Sequence, residues 1–171
     1  MSSDSKAESE ESQSQKVLVL DTETTGKNFD VQIQIIQLAW GWWDGKEGIS
    51  NLKSFTCMPT INWQSEWHEE HNLTMEDVEG APPLENQIQD FIDDAMIADA
   101  VMGYNVDFDL SVLELEMERL GLDYTCITTK PFIDPMIVWN KSEGRKLVDA
   151  YRRWMGTELE EAHDAEADIG A

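Results

Sequence analysis

The sequence predicts an α/β domain: a mixed β-sheet of three antiparallel strands followed by parallel strands, flanked by helices. Three observations carry this prediction. An uninterrupted apolar run, Val17-Leu18-Val19-Leu20, has the character of a central strand covered on both faces. An alternating segment, a turn and a further strand pattern follow, as in antiparallel pairing. Amphipathic helices then alternate with short apolar runs, which adds strands to an existing sheet through crossovers.

Taken in order, Met1 to Gln15 are nearly all polar or charged and cannot offset the entropy of ordering, so they read as a disordered acidic tail before a domain spanning 16–171. The apolar run from Val17 ends on Asp21. A second strand, Ile33 to Trp43, places Ile36, Leu38, Trp40 and Trp42 on one face, and Asp44-Gly45 turns the chain into a third around Ile49 to Cys57. Beyond a loop rich in Trp, Glu and His, Pro82-Pro83 precede a helix in which Leu84, Ile88, Phe91, Ile92, Ala95 and Met96 recur at helical spacing. Ala98 to Tyr104 reads as a short strand. The next helix starts near Asp109, carries Leu110, Leu113, Met117 and Leu120 on one stripe with Glu114, Glu116 and Glu118 outside, and closes on Gly121. A weaker strand lies near Ile127 to Ile133, followed by helical patterns at Pro135 to Asn140, at Lys146 to Met155 and from about Asp164. The chain stops at Ala171, soon after Asp168, which reads as a C-terminal helix cut short.

Composition narrows the function. A length of 171 residues with 41% hydrophobic content suits one core without staples. The two cysteines, Cys57 and Cys126, form neither a CxxC pair nor a zinc-ligand spacing, which suits a reducing cytoplasm. No apolar stretch approaches the ~18–20 residues a membrane span needs, and the N-terminus has no signal-peptide core. The net charge of -23 argues against a high-affinity stoichiometric nucleic-acid binder. It argues less against an enzyme whose metal ions supply positive charge at the phosphate. Between Lys141 and Arg153, five basic residues face only Glu143 and Asp149, so this stretch is equally a phosphate contact or a solvated helix face.

Three segments carry the chemistry. In Asp21-Thr22-Glu23-Thr24-Thr25-Gly26, residues two apart in extended backbone share a side, so the carboxylates of Asp21 and Glu23 converge. Such carboxylates repel unless a cation intervenes, and hard oxygen ligands suit Mg²⁺ or Mn²⁺. Alone, the same residues also suit a strand-to-turn junction. In Gly103-Tyr104-Asn105-Val106-Asp107-Phe108-Asp109, a strand passes into a helix, where Asp107 or Asp109 would equally serve as N-cap. His163-Asp164-Ala165-Glu166-Ala167-Asp168 opens the last helix, with alanines small enough for close approach to another element.

Together these segments, in this order from Val17 to Asp168, resemble the motifs of the DEDDh 3′→5′ exonuclease family, including its proofreading subunits. Ile133-Asp134 also falls where that family has a strand-end aspartate. The resemblance implies a ribonuclease-H-like fold and hydrolysis of the terminal phosphodiester to nucleoside 5′-monophosphates. It implies that Asp21, Glu23, Asp109 and Asp168 hold two Mg²⁺ or Mn²⁺ ions, with His163 as general base and Asp107 only a neighbour. Asn105 and Phe108 match the second motif. Thr24 and Thr25 would contact the terminal sugar, and His71 and Phe108 the terminal base. Position 164 is Asp, not the Tyr of the related branch. Two departures stand out: Tyr104 replaces the usual histidine before Asn105, and His71-Asn72-Leu73-Thr74 has Asn where the family's H-G-I-T segment has Gly.

The implied partner is a nucleic acid with a free 3′ end, DNA over RNA because of the T-E-T-T-G run. Both a stand-alone nuclease and a DNA polymerase's proofreading subunit fit. Two other readings stay open: an RNA-directed exonuclease of the same fold, and a non-catalytic acidic module whose acids would be spread along a surface.

Overall fold

The computed structural model describes residues 15–27, 29, 32–45, 48–61, 73–140, 146–159 and 165–170. The apolar run forms β1 (Val17–Thr24), which pairs antiparallel with β2 (Ile35–Trp43), itself antiparallel to β3 (Ile49–Thr56). After a short helix, α1 (Met75–Val78), and a 3₁₀ turn (Leu84–Asn86), α2 (Gln89–Ile97) leads into β4 (Ala100–Met102), parallel to β1. Helix α3 (Val106–Leu120), the short α4 (Thr125–Thr128) and β5 (Phe132–Ile133), parallel to β4, complete a sheet of order β3-β2-β1-β4-β5. Helices α5 (Pro135–Trp139), α6 (Leu147–Met155) and α7 (Ala165–Gly170) follow.

The sheet separates two unequal cores. Leu18 and Leu20 of β1 join Leu38 and Trp40 of β2 in a large cluster, to which α2 contributes Phe91 and Ala95 and α3 contributes Val112, Leu113 and Met117. On the α7 side, Val19 and Ala39 meet Ala165 and Ile169 in a small one. Gly103 is required where β4 ends: a Cβ there would lie 2.7 Å from the Leu20 carbonyl oxygen, so any side chain would push β4 off β1 just before Asp21.

The apolar run ends at Asp21 but β1 continues through it, as the extended backbone expected for Asp21 and Glu23 requires: Asp21, Thr22 and Glu23 keep their places opposite Ala39, Leu38 and Gln37 of β2. Several expectations need correction. The β1 and β2 register slips between Glu23 and Thr24, and this bulge places Ile36 in a separate cluster with Val78, away from Leu38 and Trp40. The helix expected after Pro83 is divided into the 3₁₀ turn and α2, and Met96 is exposed. Helix α3 starts at Val106, before Asp109, capped by Asn105 in the left-handed conformation (φ 63°), and ends as expected on left-handed Gly121. Glu116 is not outside: it is 2% exposed and paired with Arg119. Ile127 belongs to α4, which leaves β5 only two residues. The acidic tail, apart from Gln15, and the stretch 141–145 of the basic segment lie outside the described residues. Within the remainder of that segment, Arg152 is engaged by Glu158 and Asp149.

Candidate active site

The site forms where β1 passes the start of α3 and the helix α7. Alternation along β1 turns Asp21 and Glu23 to the α7 side and Thr22 to the α3 side. Helix α7 approaches closely because its first residue, Ala165, is fully buried in the cluster with Val19 and Ala39. The buried amide side chain of Gln37, opposite Glu23 on β2, accepts a hydrogen bond from Ala165 N (3.2 Å) and so holds the start of that helix to the sheet. Three residues further on, Asp168 meets β1. Carboxylate oxygens of Asp21, Glu23 and Asp168 all lie within 4.8 Å of one another.

Asp109 arrives from the opposite face. It is 4% exposed, and its Oδ1 accepts hydrogen bonds from Thr22 N (2.9 Å) and Thr22 Oγ1 (2.6 Å). Burial pushes its carboxyl up to about 7, against the two Thr22 hydrogen bonds that pull it down, with the nearby Asp134 charge adding to the rise. The structure therefore brings Asp21, Glu23 and Asp168 together and holds Asp109 one strand residue away, behind Thr22.

Asp134 organises the other edge. At the end of β5 it caps α5 by accepting from Met136 N (2.9 Å), and the same Oδ1 accepts from Asn105 N (3.0 Å). One buried carboxylate thus sets the start of α3 relative to the parallel strands. Gln37 and Thr22 were not legible as site residues, because each acts through a hydrogen bond between segments distant in sequence.

The expected substrate contacts are placed unevenly. Thr25 is fully buried, its hydroxyl accepting from Gln34 N (2.9 Å), and Thr24 donates its hydroxyl to Gly26 O (2.6 Å). Both hydroxyls brace the turn after β1. Phe108 packs edge-on against Phe29 with ring centroids 5.4 Å apart, and Asn105 is exposed at the head of α3. His71 and His163 lie outside the described residues.

Residues 18–171 match the family model RNase T, described as Exonuclease. No curated protein sequence matches the chain. Among solved structures, the zinc-bound complex of E. coli exonuclease I with single-stranded DNA aligns with a TM-score of 0.76 at 18% identity, covering 91% of this chain and 38% of that one. Exonuclease X in complex with 5′-overhanging duplex DNA aligns with a TM-score of 0.61 at 18% identity, covering 90% and 85% respectively. This chain thus spans well under half of the exonuclease I chain, with which it shares the ribonuclease-H-like fold. The family match runs through β1, α3 and α7, the elements that bear all four aspartate and glutamate candidates, and the chain belongs to the exonuclease family, the DEDD group of 3′→5′ nucleases.

Proposed function

We propose that the chain hydrolyses DNA from a free 3′ end to nucleoside 5′-monophosphates, using divalent metal held by Asp21, Glu23 and Asp168. The observation that carries this is the convergence of three carboxylates within 4.8 Å of one another, a donor set of hard oxygens on rigid elements. Uncompensated, such a group is repulsive, and it fits Mg²⁺ or Mn²⁺. By its place in the second motif Asp109 would complete the set, with Thr22 holding its Oδ1. Two ions bound there would polarise the phosphodiester and lower the pKa of the attacking water.

The chain's own residues do the rest. His163, whose role rests on its sequence position two residues before α7, takes the proton from the water. Asn105 and Phe108 at the start of α3, the 24–25 turn backbone and His71 orient the terminal nucleotide. DNA as substrate is supported by the DNA complexes of exonuclease I and exonuclease X. A DNA polymerase as partner and a cytoplasmic location rest on the sequence reading. No helix among the described residues is long and apolar enough to cross a membrane.

The test is digestion of matched single-stranded DNA and RNA labelled at the 5′ end, with EDTA and then with added Mg²⁺ or Mn²⁺. A ladder shortening from the 3′ end, abolished by chelation, restored by metal and faster on DNA, is expected. His163→Ala should lower kcat by about 10²–10⁴-fold. Metal-independent cleavage would refute the mechanism, and faster RNA digestion would reassign the substrate.

A further inference from the structure

Helix α7 is six residues long, well short of the ~12–15 at which an isolated helix begins to hold in water, so contacts with the sheet must set where it lies. At ~100° per residue, Ala165 and Ile169 share the face that is buried against Val19 and Ala39. From the middle of that face, Glu166 is turned by roughly 80° to one flank and Asp168 by about the same angle to the other. The two carboxylates therefore straddle the helix: Asp168 meets β1, and Glu166 turns toward β3.

There the Ser54 hydroxyl donates to Glu166 Oε1. Ser54 stands opposite Ala39 in the pairing of β2 with β3. Its neighbour Lys53 points to the other face of the sheet, where Nζ meets Asp94 of α2 at 2.7 Å, and the same carboxylate oxygen accepts from the indole of buried Trp40 at 2.8 Å. This clasp ties β3 to the densely packed side, so Ser54 is presented to α7 from a fixed strand.

Gln37 holds the start of α7 through Ala165 N, and the apolar contacts lie along one face, so rotation about the helix axis is the motion they constrain least. We propose that Ser54 and Glu166 are positioning residues, whose hydrogen bond sets the roll of α7 and thereby the distance of Asp168 from Asp21 and Glu23. This role rests on the reading of those three carboxylates as the metal centre. Roll matters there because Asp168 sits on a flank, and rotation carries a flank toward or away from β1. Both partners are exposed, so their bond adds little to stability and its effect falls on Asp168.

The experiment has two readouts on the same variants: hydrogen exchange of the α7 backbone amides in EDTA, and Mn²⁺ titration with the free ion followed by electron paramagnetic resonance. Ser54→Ala removes the donor without changing any charge. It should speed exchange at Ile169 and Gly170 and weaken Mn²⁺ binding by about 3–10-fold, below the ~10–100-fold range for groups that support a metal ligand directly. The melting temperature should hardly move. Ser54→Thr, which keeps the hydroxyl, should recover both readouts. In a Glu166→Ala background, Ser54→Ala should cost nothing further. Unaltered exchange in Ser54→Ala would overturn the proposal whatever the metal does. So would a Glu166→Ala variant that loses Mn²⁺ affinity while Ser54→Ala keeps it, which would make Glu166 a ligand. Failure of Ser54→Thr to recover either readout, or additive losses in the double variant, would also overturn it. Wild type that binds no Mn²⁺ would refute the metal centre and this role with it, whereas binding weakened by Asp168→Asn but not by Ser54→Ala would refute the role alone.

Discussion

On the α3 side of the sheet, Leu18, Leu20, Leu38 and Trp40 pack against Phe91, Leu113 and Met117, every one at most 2% exposed. On the α7 side, the buried apolar cluster is Val19, Ala39, Ala165 and Ile169, and beside it lies a cavity of about 640 Å³. The polar groups divide in the same way: Asp21, Glu23 and Asp168 converge on the thinly packed side, and Asp109 reaches β1 from the densely packed one. Dense apolar packing is concentrated on one face, and the three converging carboxylates lie on the other. A side packed to full density would leave no room for metal, water and a nucleotide, so the loose side is the one that can work.

This contrast can be broken by substitution on each face. The largest effect is expected on activity: Asp21→Asn or Glu23→Gln should lower kcat by at least ~10³-fold, because a misplaced metal forfeits several kcal/mol of transition-state stabilisation. The melting temperature should hold or rise, since like-charge repulsion is relieved. Phe91→Ala is the converse, costing about 3–5 kcal/mol by denaturant titration and leaving turnover of the folded fraction intact. If Phe91→Ala spared stability or Glu23→Gln unfolded the chain, the division between faces would be wrong.

Asp109 tests the boundary between them. Its carboxyl is held up at about 7 from an ordinary value near 3.8, so between those values the folded chain keeps a proton that the unfolded chain has lost. The folded state binds more protons, and stability contributed by this group falls as pH rises through that window. Asp109→Asn removes the penalty while its amide oxygen can still accept from Thr22. In EDTA, the variant's melting temperature should gain on wild type as pH rises from about 4 to above 7. A gain that shrinks over this range would contradict the assignment. A smaller effect is expected at Gln37: Gln37→Leu frees the start of α7 and should lower metal affinity about 10–100-fold, the range seen when residues supporting a ligand are lost. Gln37→Glu, which keeps an acceptor for Ala165 N, should recover part of it.

Much of this was legible in sequence because it is local. The run Val17 to Leu20, the Gly121 helix end and the shared side of Asp21 and Glu23 each follow from a few adjacent residues and one periodicity. What was not legible depends on partners far along the chain. Glu116 reads as a surface charge on its helix, yet α3 buries it and Arg119 pairs with it from one turn away. Ile36 reads as in phase with Leu38, but a bulge set by pairing with β1 displaces it. Asp109 reads as the equal of the other carboxylates, whereas its hydrogen bonds to Thr22 span 87 positions and no local pattern could show them.

The most direct test of the central claim, that Asp21, Glu23 and Asp168 form the metal centre, is Mn²⁺ titration monitored by electron paramagnetic resonance of the free ion. Wild type, Asp168→Asn and Asp107→Asn would be compared, Asp107 being exposed on the first turn of α3 and outside the cluster. The account predicts saturable binding to wild type and Asp107→Asn, and affinity at least ~10-fold weaker in Asp168→Asn. Equal affinity in wild type and Asp168→Asn, with both folded, would contradict it.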